Sequence, residues 1–156
     1  VTPFCSIAAS SSPTGRCGSR PFPVKTAFIP DLFPIISVLA AFCQGKSRIA
    51  GVGRLANKES DRGQAILSML TQMGVKARIS GDEMIIEGHS LAQRCLAGRL
   101  LKGGEYSSFH DHRMVMALKV AGLGADSPVL IDDMECVAKS FPDFQKLFSR
   151  LTGVES

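Results

Sequence analysis

From Pro30 onward, apolar positions recur first at helical and then at strand spacing. Leu32, Ile35, Ile36, Leu39, Phe42 and Cys43 keep the period of a helix. Pro30 suits its start, Pro34 falls in its first turn where a missing N–H does little harm, and Gly45 ends it. That helix is apolar nearly all round, which predicts burial. Residues 47–52 read as a strand, and residues 60–73 as a helix that stops at Gly74. Residues 75–79 alternate with period two, Gly81-Asp82 makes a turn and residues 84–86 continue, which predicts a β-hairpin. Glycines 98, 103 and 104 make residues 89–107 a loop-rich connection. Asp111 caps a helix running through Met114, Met116, Ala117, Leu118, Ala121 and Gly122. Residues 128–131 read as a buried strand, and residues 141–151 as a final amphipathic helix. The order is helix, strand, helix, two strands, helix, strand, helix. This is an α/β pattern whose helices are more apolar than covering one sheet face requires, as sheets wrapped around buried helices would explain.

Residues 1–29 depart from this pattern. They contain Ser10-Ser11-Ser12, four of the eight prolines, three basic residues and no carboxylate, the first being Asp31. Acid-poor, Ser- and Arg-bearing leaders can be organellar transit segments, but no arginine-rich amphipathic helix is visible. The expectation is a poorly structured or foreign segment over 1–29, with the globular part over 30–156.

Composition narrows the function classes. The chain has 156 residues, 45% hydrophobic and 21% charged, enough for one domain with a real core. A net charge of +4, no Lys/Arg-rich run, no Trp and one Tyr suit small anions and argue against nucleic acid. No apolar run reaches the roughly 20 residues that span a bilayer. The five cysteines (5, 17, 43, 95 and 136) form an odd, widely spaced set, which predicts free thiols in a reducing cytoplasm.

The chemistry concentrates at predicted helix starts. Lys58-Glu59-Ser60-Asp61-Arg62 packs four ionisable groups of both signs between a strand and a helix. Cations beside the free N–H groups of a first helical turn suit an anion, and the carboxylates suit proton transfer beside it. A solvated, self-paired surface turn is the plainer reading. Asp31 and Asp111-His112-Arg113 stand at two further helix starts, and Lys139 follows the strand at 128–131. Each alone has a structural explanation: a plain N-cap for either Asp, an Arg113–Asp111 pair, a loop lysine. Together, helix N-termini gathered at one end of an α/β layer make an anion pocket. His110-Asp111-His112 is a poor metal motif, because its histidines diverge on a helix and only His89 remains to help. Gly51-Val52-Gly53 lacks the third glycine and the context of a phosphate-cradling loop.

Four motifs stand in order: Pro30-Asp31 heading an apolar helix; Gly51 to Leu55 followed by the pentad 58–62; Asp111-His112-Arg113-Met114 with Met116-Ala117; and Cys136-Val137-Ala138-Lys139-Ser140-Phe141-Pro142. The set resembles the C-terminal part of the 3-phosphoshikimate 1-carboxyvinyltransferase (EPSP synthase) family over roughly residues 30 to 152. The resemblance implies a partial lobe of an enolpyruvyl transferase fold, built from βαβαββ-type units. It implies transfer of the enolpyruvyl group of phosphoenolpyruvate to the 5-hydroxyl of shikimate 3-phosphate, with no metal or organic cofactor, in the cytoplasm.

By that resemblance Asp31 is the base at the 5-OH, and Glu59 and Lys139 share proton transfer on phosphoenolpyruvate. Arg62, Arg113 and Lys139 hold phosphoenolpyruvate, Lys58 contacts the shikimate phosphate side, His112 lines the pocket, and glyphosate meets the same cations. Members of the family are far longer and have two lobes. The N-terminal lobe's Lys-Ser pair, further arginines and Ser-Ser-Gln segment are not recognisable here, so the expectation is half a site and little activity alone. A sister transferase acting on a UDP-amino sugar shares the fold but lacks this pairing of motifs. A non-catalytic anion-binding or assembly domain is the reading from another class, marked by an exposed apolar edge where other parts of the fold would pack.

Overall fold

In the central strand of the larger sheet, Ser47 and Ile49 are buried while Lys46 and Arg48 face water, the period-two pattern of a sheet with one covered face. This is β2 (Gly45–Ala50) in a computed structural model that describes residues 23–25, 30–56 and 61–153. β2 pairs antiparallel with β4 (Glu83–Gly88), setting Ser47 opposite Ile86 and Ile49 opposite Met84 on the inner face. On the outer face Lys46 pairs with Glu87 at 3.1 Å and Arg48 with Glu83 at 3.7 Å. The Lys46 ammonium holds the Glu87 carboxyl below its usual range. β3 (Lys76–Ser80) joins the far side of β4 through the Gly81 turn, where φ is +60°. β1 (Pro23–Lys25) lies parallel to the near side of β2, so the order is β1-β2-β4-β3. β1 falls within the segment 1–29 set apart by composition; the rest of that segment lies outside the described residues.

Two helices complete this unit. A 3-10 turn at Pro30–Leu32 leads into α1 (Phe33–Ala41), which packs on β2 and β4. A second 3-10 turn at Val52–Ala56 precedes α2 (Arg62–Gln72), which packs on β3. The short α3 (Leu91–Leu96) follows, and then β5 (Gly104–Tyr106), α4 (His112–Gly122) and β6 (Val129–Ile131). β5 and β6 form a separate parallel pair. A 3-10 turn at Glu135–Val137 leads to α5 (Phe144–Thr152). The first unit therefore reads β-α-β-α-β-β, and β5-α4-β6-α5 repeats its first four elements. α1 and α4 pack on each other between the two sheets, and Phe33, Val38, Met114 and Leu118 join Ile49, Met84 and Ile86 in one core.

The sequence pattern anticipates this order except for the strands β1 and β5 and the helix α3, and burial differs at three further elements. α1 is not buried all round: Leu39 is 48% exposed, because the helix is covered by β2, β4, α2 and α4 but not on its remaining side. α3 falls where a loop-rich connection was expected. Ser90 and Gln93 form a reciprocal capping box at its start, with Gln93 N–H to Ser90 Oγ at 3.3 Å and Ser90 N–H to Gln93 Oε1 at 3.2 Å. Arg94 then ties α3 to the end of α1, its guanidinium donating to Ala41 O at 3.1 Å. β6 is not a buried strand, since Leu130 is 57% exposed. α5 is amphipathic as expected but buries no residue, having no sheet against its apolar face among the described residues.

Gly88 ends β4 against the last turn of α1, where His89 N–H donates to Ala41 O at 3.1 Å. A Cβ at position 88 would overlap the carbonyl oxygens of Cys43 and Ala40, which are backbone atoms and cannot swing aside. Gly88→Ala is expected to destabilise the fold by about 3 kcal/mol or more, read as a lower urea midpoint. An unchanged midpoint would contradict the close approach.

Candidate functional site

Three of the helical elements begin at one end of the molecule, and their first residues carry its charge. Asp111 is the N-cap of α4, its Oδ1 accepting the Arg113 N–H at 3.0 Å. Asp61 caps α2 in the same way, accepting the Gln64 N–H at 3.1 Å, so the acid of the pentad's second half is structural. Arg62, the first residue of α2, donates from Nε to Asp111 Oδ2 at 2.6 Å. Arg113 donates from Nη1 to Asp111 Oδ1 at 3.4 Å. Its Nε pairs with Asp31 Oδ1 at 3.0 Å. Asp31 stands in the 3-10 turn that opens α1.

One carboxylate therefore caps a helix and holds two arginines from two helix starts. Asp111 is 12% exposed and Arg62 25%, so these pairs are partly withdrawn from water and stronger than surface pairs. His112 opens α4 with Nδ1 at 4.0 Å from Asp111 Oδ1. The structure thus brings Asp31, Arg62, His112 and Arg113 together around Asp111. Arg62 and Arg113 hold further N–H donors on planar forks, beside the positive ends of α2 and α4. Such a pair can grip a carboxylate or phosphate through parallel hydrogen bonds. Lys58 and Glu59 lie outside the described residues.

The loop that delivers Asp111 is itself clamped. Phe109 and His110 both take left-handed backbone angles, with φ of 52° and 54°, which side-chain-bearing residues seldom adopt. Asp132, just past β6, holds the loop before them: Oδ1 accepts the Ser108 N–H at 2.7 Å and Oδ2 the Ser107 hydroxyl at 2.8 Å. The Ser108 N–H, then the Ser108 and Ser107 hydroxyls, hold the Asp132 carboxyl down to about 2. His110 Nδ1 meets Asp133 Oδ2 at 2.9 Å, so His110 turns to its own acid rather than joining His112. Among the described residues, no three His, Cys, Asp or Glu side chains gather as metal ligands. Sequence reasoning missed Asp132 and Asp133; the signal was an acidic pair directly after a predicted strand, at the strand end where α/β folds place functional loops.

Lys139 is exposed, two residues past the Glu135–Val137 turn that packs on α4. Burial pushes the nearby Cys136 thiol up, Asp133, Asp111 and Asp132 push it further, and Lys139 pulls it back. Asp111 and Lys139 thus act on one thiol from opposite signs of charge.

Comparisons with known proteins identify the family. The family model for EPSP synthase (3-phosphoshikimate 1-carboxyvinyltransferase) matches residues 6–148. The chain belongs to the EPSP synthase family. The 3-phosphoshikimate 1-carboxyvinyltransferase of Parvibaculum lavamentivorans is 39% identical over 129 residues, covering 83% of this chain and 27% of that protein. That of Clostridium acetobutylicum is 40% identical over 124 residues, covering 80% and 27%. A solved EPSP synthase from Acinetobacter baumannii superposes with a TM-score of 0.69 at 33% identity, covering 81% of this chain and 28% of the other. The chain spans about 27% of the length of these curated relatives. No helix among the described residues is long and apolar enough to cross a membrane.

The Asp132 clamp carries a pH signature. Its folded carboxyl lies near 2, below its ordinary 3.8, so its contribution is present above about pH 4 and is lost as pH falls toward 2. Solvent screening at this exposed site reduces that contribution to about 1 kcal/mol. Urea unfolding at pH 5 and at pH 2.5 is expected to show that much less acid sensitivity in Asp132→Asn than in the unaltered chain. Equal acid sensitivity of the two would show that the clamp adds nothing.

Proposed function

We propose that this EPSP synthase segment supplies one wall of a site that transfers the enolpyruvyl group of phosphoenolpyruvate to the 5-hydroxyl of shikimate 3-phosphate. The observation that carries this reading is the pair Arg62 and Arg113, set at the starts of α2 and α4 by one shared carboxylate, Asp111. The donor brings a carboxylate and a phosphate within a few bonds of each other. Two planar guanidiniums at positive helix ends suit both groups. Lys139 adds a third cation to the donor's side, and Lys58 meets the shikimate phosphate. His112 lines the pocket beside them.

The chemistry runs by addition and elimination. Asp31 takes the proton of the 5-OH as its oxygen bonds to C2 of phosphoenolpyruvate, and a proton is delivered to the C3 methylene. The tetrahedral adduct then loses a proton from C3, the double bond re-forms, and the C2–O bond to phosphate breaks to release inorganic phosphate. Glu59 and Lys139 share the proton transfers at C3 and at the bridging oxygen, each matched to its task by neighbouring charge. No metal or organic cofactor takes part. Glyphosate competes with phosphoenolpyruvate for the same cations, and the reaction takes place in the cytoplasm.

The opposite wall belongs to the N-terminal lobe of the full enzyme, in keeping with a chain that spans 27% of its relatives. The relatives' names favour this acceptor over a UDP-amino sugar. The expected outcome is therefore weak binding without turnover. Phosphoenolpyruvate titrated into the full chain should bind in the millimolar range, and Arg113→Ala should weaken it about 10-fold or more. Mixing both substrates should release no phosphate at a rate typical of an intact enzyme. Turnover at such a rate, or binding indifferent to Arg113, would overturn the reading.

A further inference from the structure

Gly51-Val52-Gly53, a poor phosphate loop by its sequence, has a different partner in the fold. The β2–β4 ladder ends with Ala50 opposite Glu83, and the next residues on the two strands are Gly51 and Asp82. Three successive N–H groups turn to Asp82 there. Gly51 and Val52 donate to its carbonyl oxygen at 2.8 and 3.0 Å, and Gly53 donates to its carboxylate Oδ1 at 2.7 Å. Gly51 takes a φ of +109°, which residues with a Cβ seldom adopt. A Cβ at Gly53 would stand 3.0 Å from the same Oδ1. The two glycines thus fit a carboxylate that comes from the chain's own β3–β4 turn.

The held loop leads to an arginine of the site. Val52, fixed on both sides by the bonds at Gly51 and Gly53, turns its side chain into the core and over the start of α2. A Cβ at Gly63 would meet Val52 Cγ1 at 2.9 Å, so the helix rests on Val52 one residue after Arg62. Arg62 Nε in turn donates to Asp111 Oδ2 at 2.6 Å. The path from Asp82 to Arg62 is therefore two hydrogen-bonded neighbours, one side-chain contact and one peptide bond. α4 begins under a similar hold, since Asp132 fixes Ser107 and Ser108 ahead of Arg113. In each case the aspartate stands more than twenty positions from the loop it grips.

We infer that Asp82 is a positioning residue of the anion site, setting through Val52 where Arg62 stands at the start of α2. The two bonds to its carbonyl oxygen would suffice to finish the ladder. The carboxylate bond to Gly53 carries the hold past Val52, to the residue beyond the one on which the helix rests. The inference rests on the reading of Arg62 as a grip for phosphoenolpyruvate, and its test has one arm with the ligand and one without.

In the full chain, exchange of the Arg62 Nε–H with water is read by NMR, the signal being assigned by its loss in Arg62→Lys. Asp82→Ala should speed that exchange about 3-fold or more, the scale of one lost hydrogen bond. Asp82→Asn, which keeps an acceptor oxygen for Gly53, should restore it. The Ser108 amide, held by Asp132, should exchange at the same rate in all three proteins, which separates repositioning from general loosening. The dissociation constant for phosphoenolpyruvate should rise about 3-fold or more in Asp82→Ala and return in Asp82→Asn. If Asp82→Ala fails to fold, Val52→Ala breaks the same path at its next step and should speed Arg62 exchange with the clamp intact. Arg62 exchange as slow in the folded variant as in the unaltered chain would overturn the inference, as would equal acceleration at Ser108 or an unrescued Asp82→Asn. A chain that binds no phosphoenolpyruvate in any form would instead overturn the enolpyruvyl-transfer reading, and the Arg62 signal would still decide whether Asp82 positions it.

Discussion

Asp111 satisfies three demands with one carboxylate: it caps α4, holds Arg62 of α2 at 2.6 Å and shares Arg113 with Asp31. The arginines are useful to an anion only if they stand side by side, and like charges do not gather unaided. A partly buried acid between them offsets that repulsion and fixes the distance between two helix starts. The rest of the fold serves this arrangement. α1 and α4 pack against each other between the sheets, α2 is carried on β3, and the three helical starts are thereby brought to one end.

The same dependence explains why the loop before α4 is held so firmly. Two successive left-handed residues, Phe109 and His110, are conformations that a chain with side chains resists. Asp132 and Asp133 compensate through Ser107, Ser108 and His110, and so fix where Asp111 emerges. Among the described residues the smaller sheet has two strands, and α5 buries no residue. Both features suit a segment that spans about 27% of its relatives.

Much of this was legible in the sequence wherever local chemistry decides the outcome. The Gly81-Asp82 turn between alternating runs foretold the hairpin, and Asp111 before an apolar period foretold α4 and its cap. The ordered motifs foretold the family, and helix starts bearing charge foretold a cluster containing Asp31, Arg62, His112 and Arg113. Features set by distant partners were not legible. Leu130 reads as buried because the residue is apolar, yet on β6 it is 57% exposed. α3 was hidden by glycines around a helix of six residues, although its Ser90–Gln93 capping box stands in the sequence. The clamping role of Asp132 carries no signal in the sequence, because its partners Ser107 and Ser108 lie more than twenty positions away.

The central claim is that Asp111 couples the starts of α2 and α4. A double-mutant cycle between Arg62→Gln and Asp111→Asn, read by urea unfolding near pH 7, measures that coupling directly. The expected result is a coupling energy of about 1 to 2 kcal/mol, above the range of exposed surface pairs. Additive effects of the two substitutions would contradict the account.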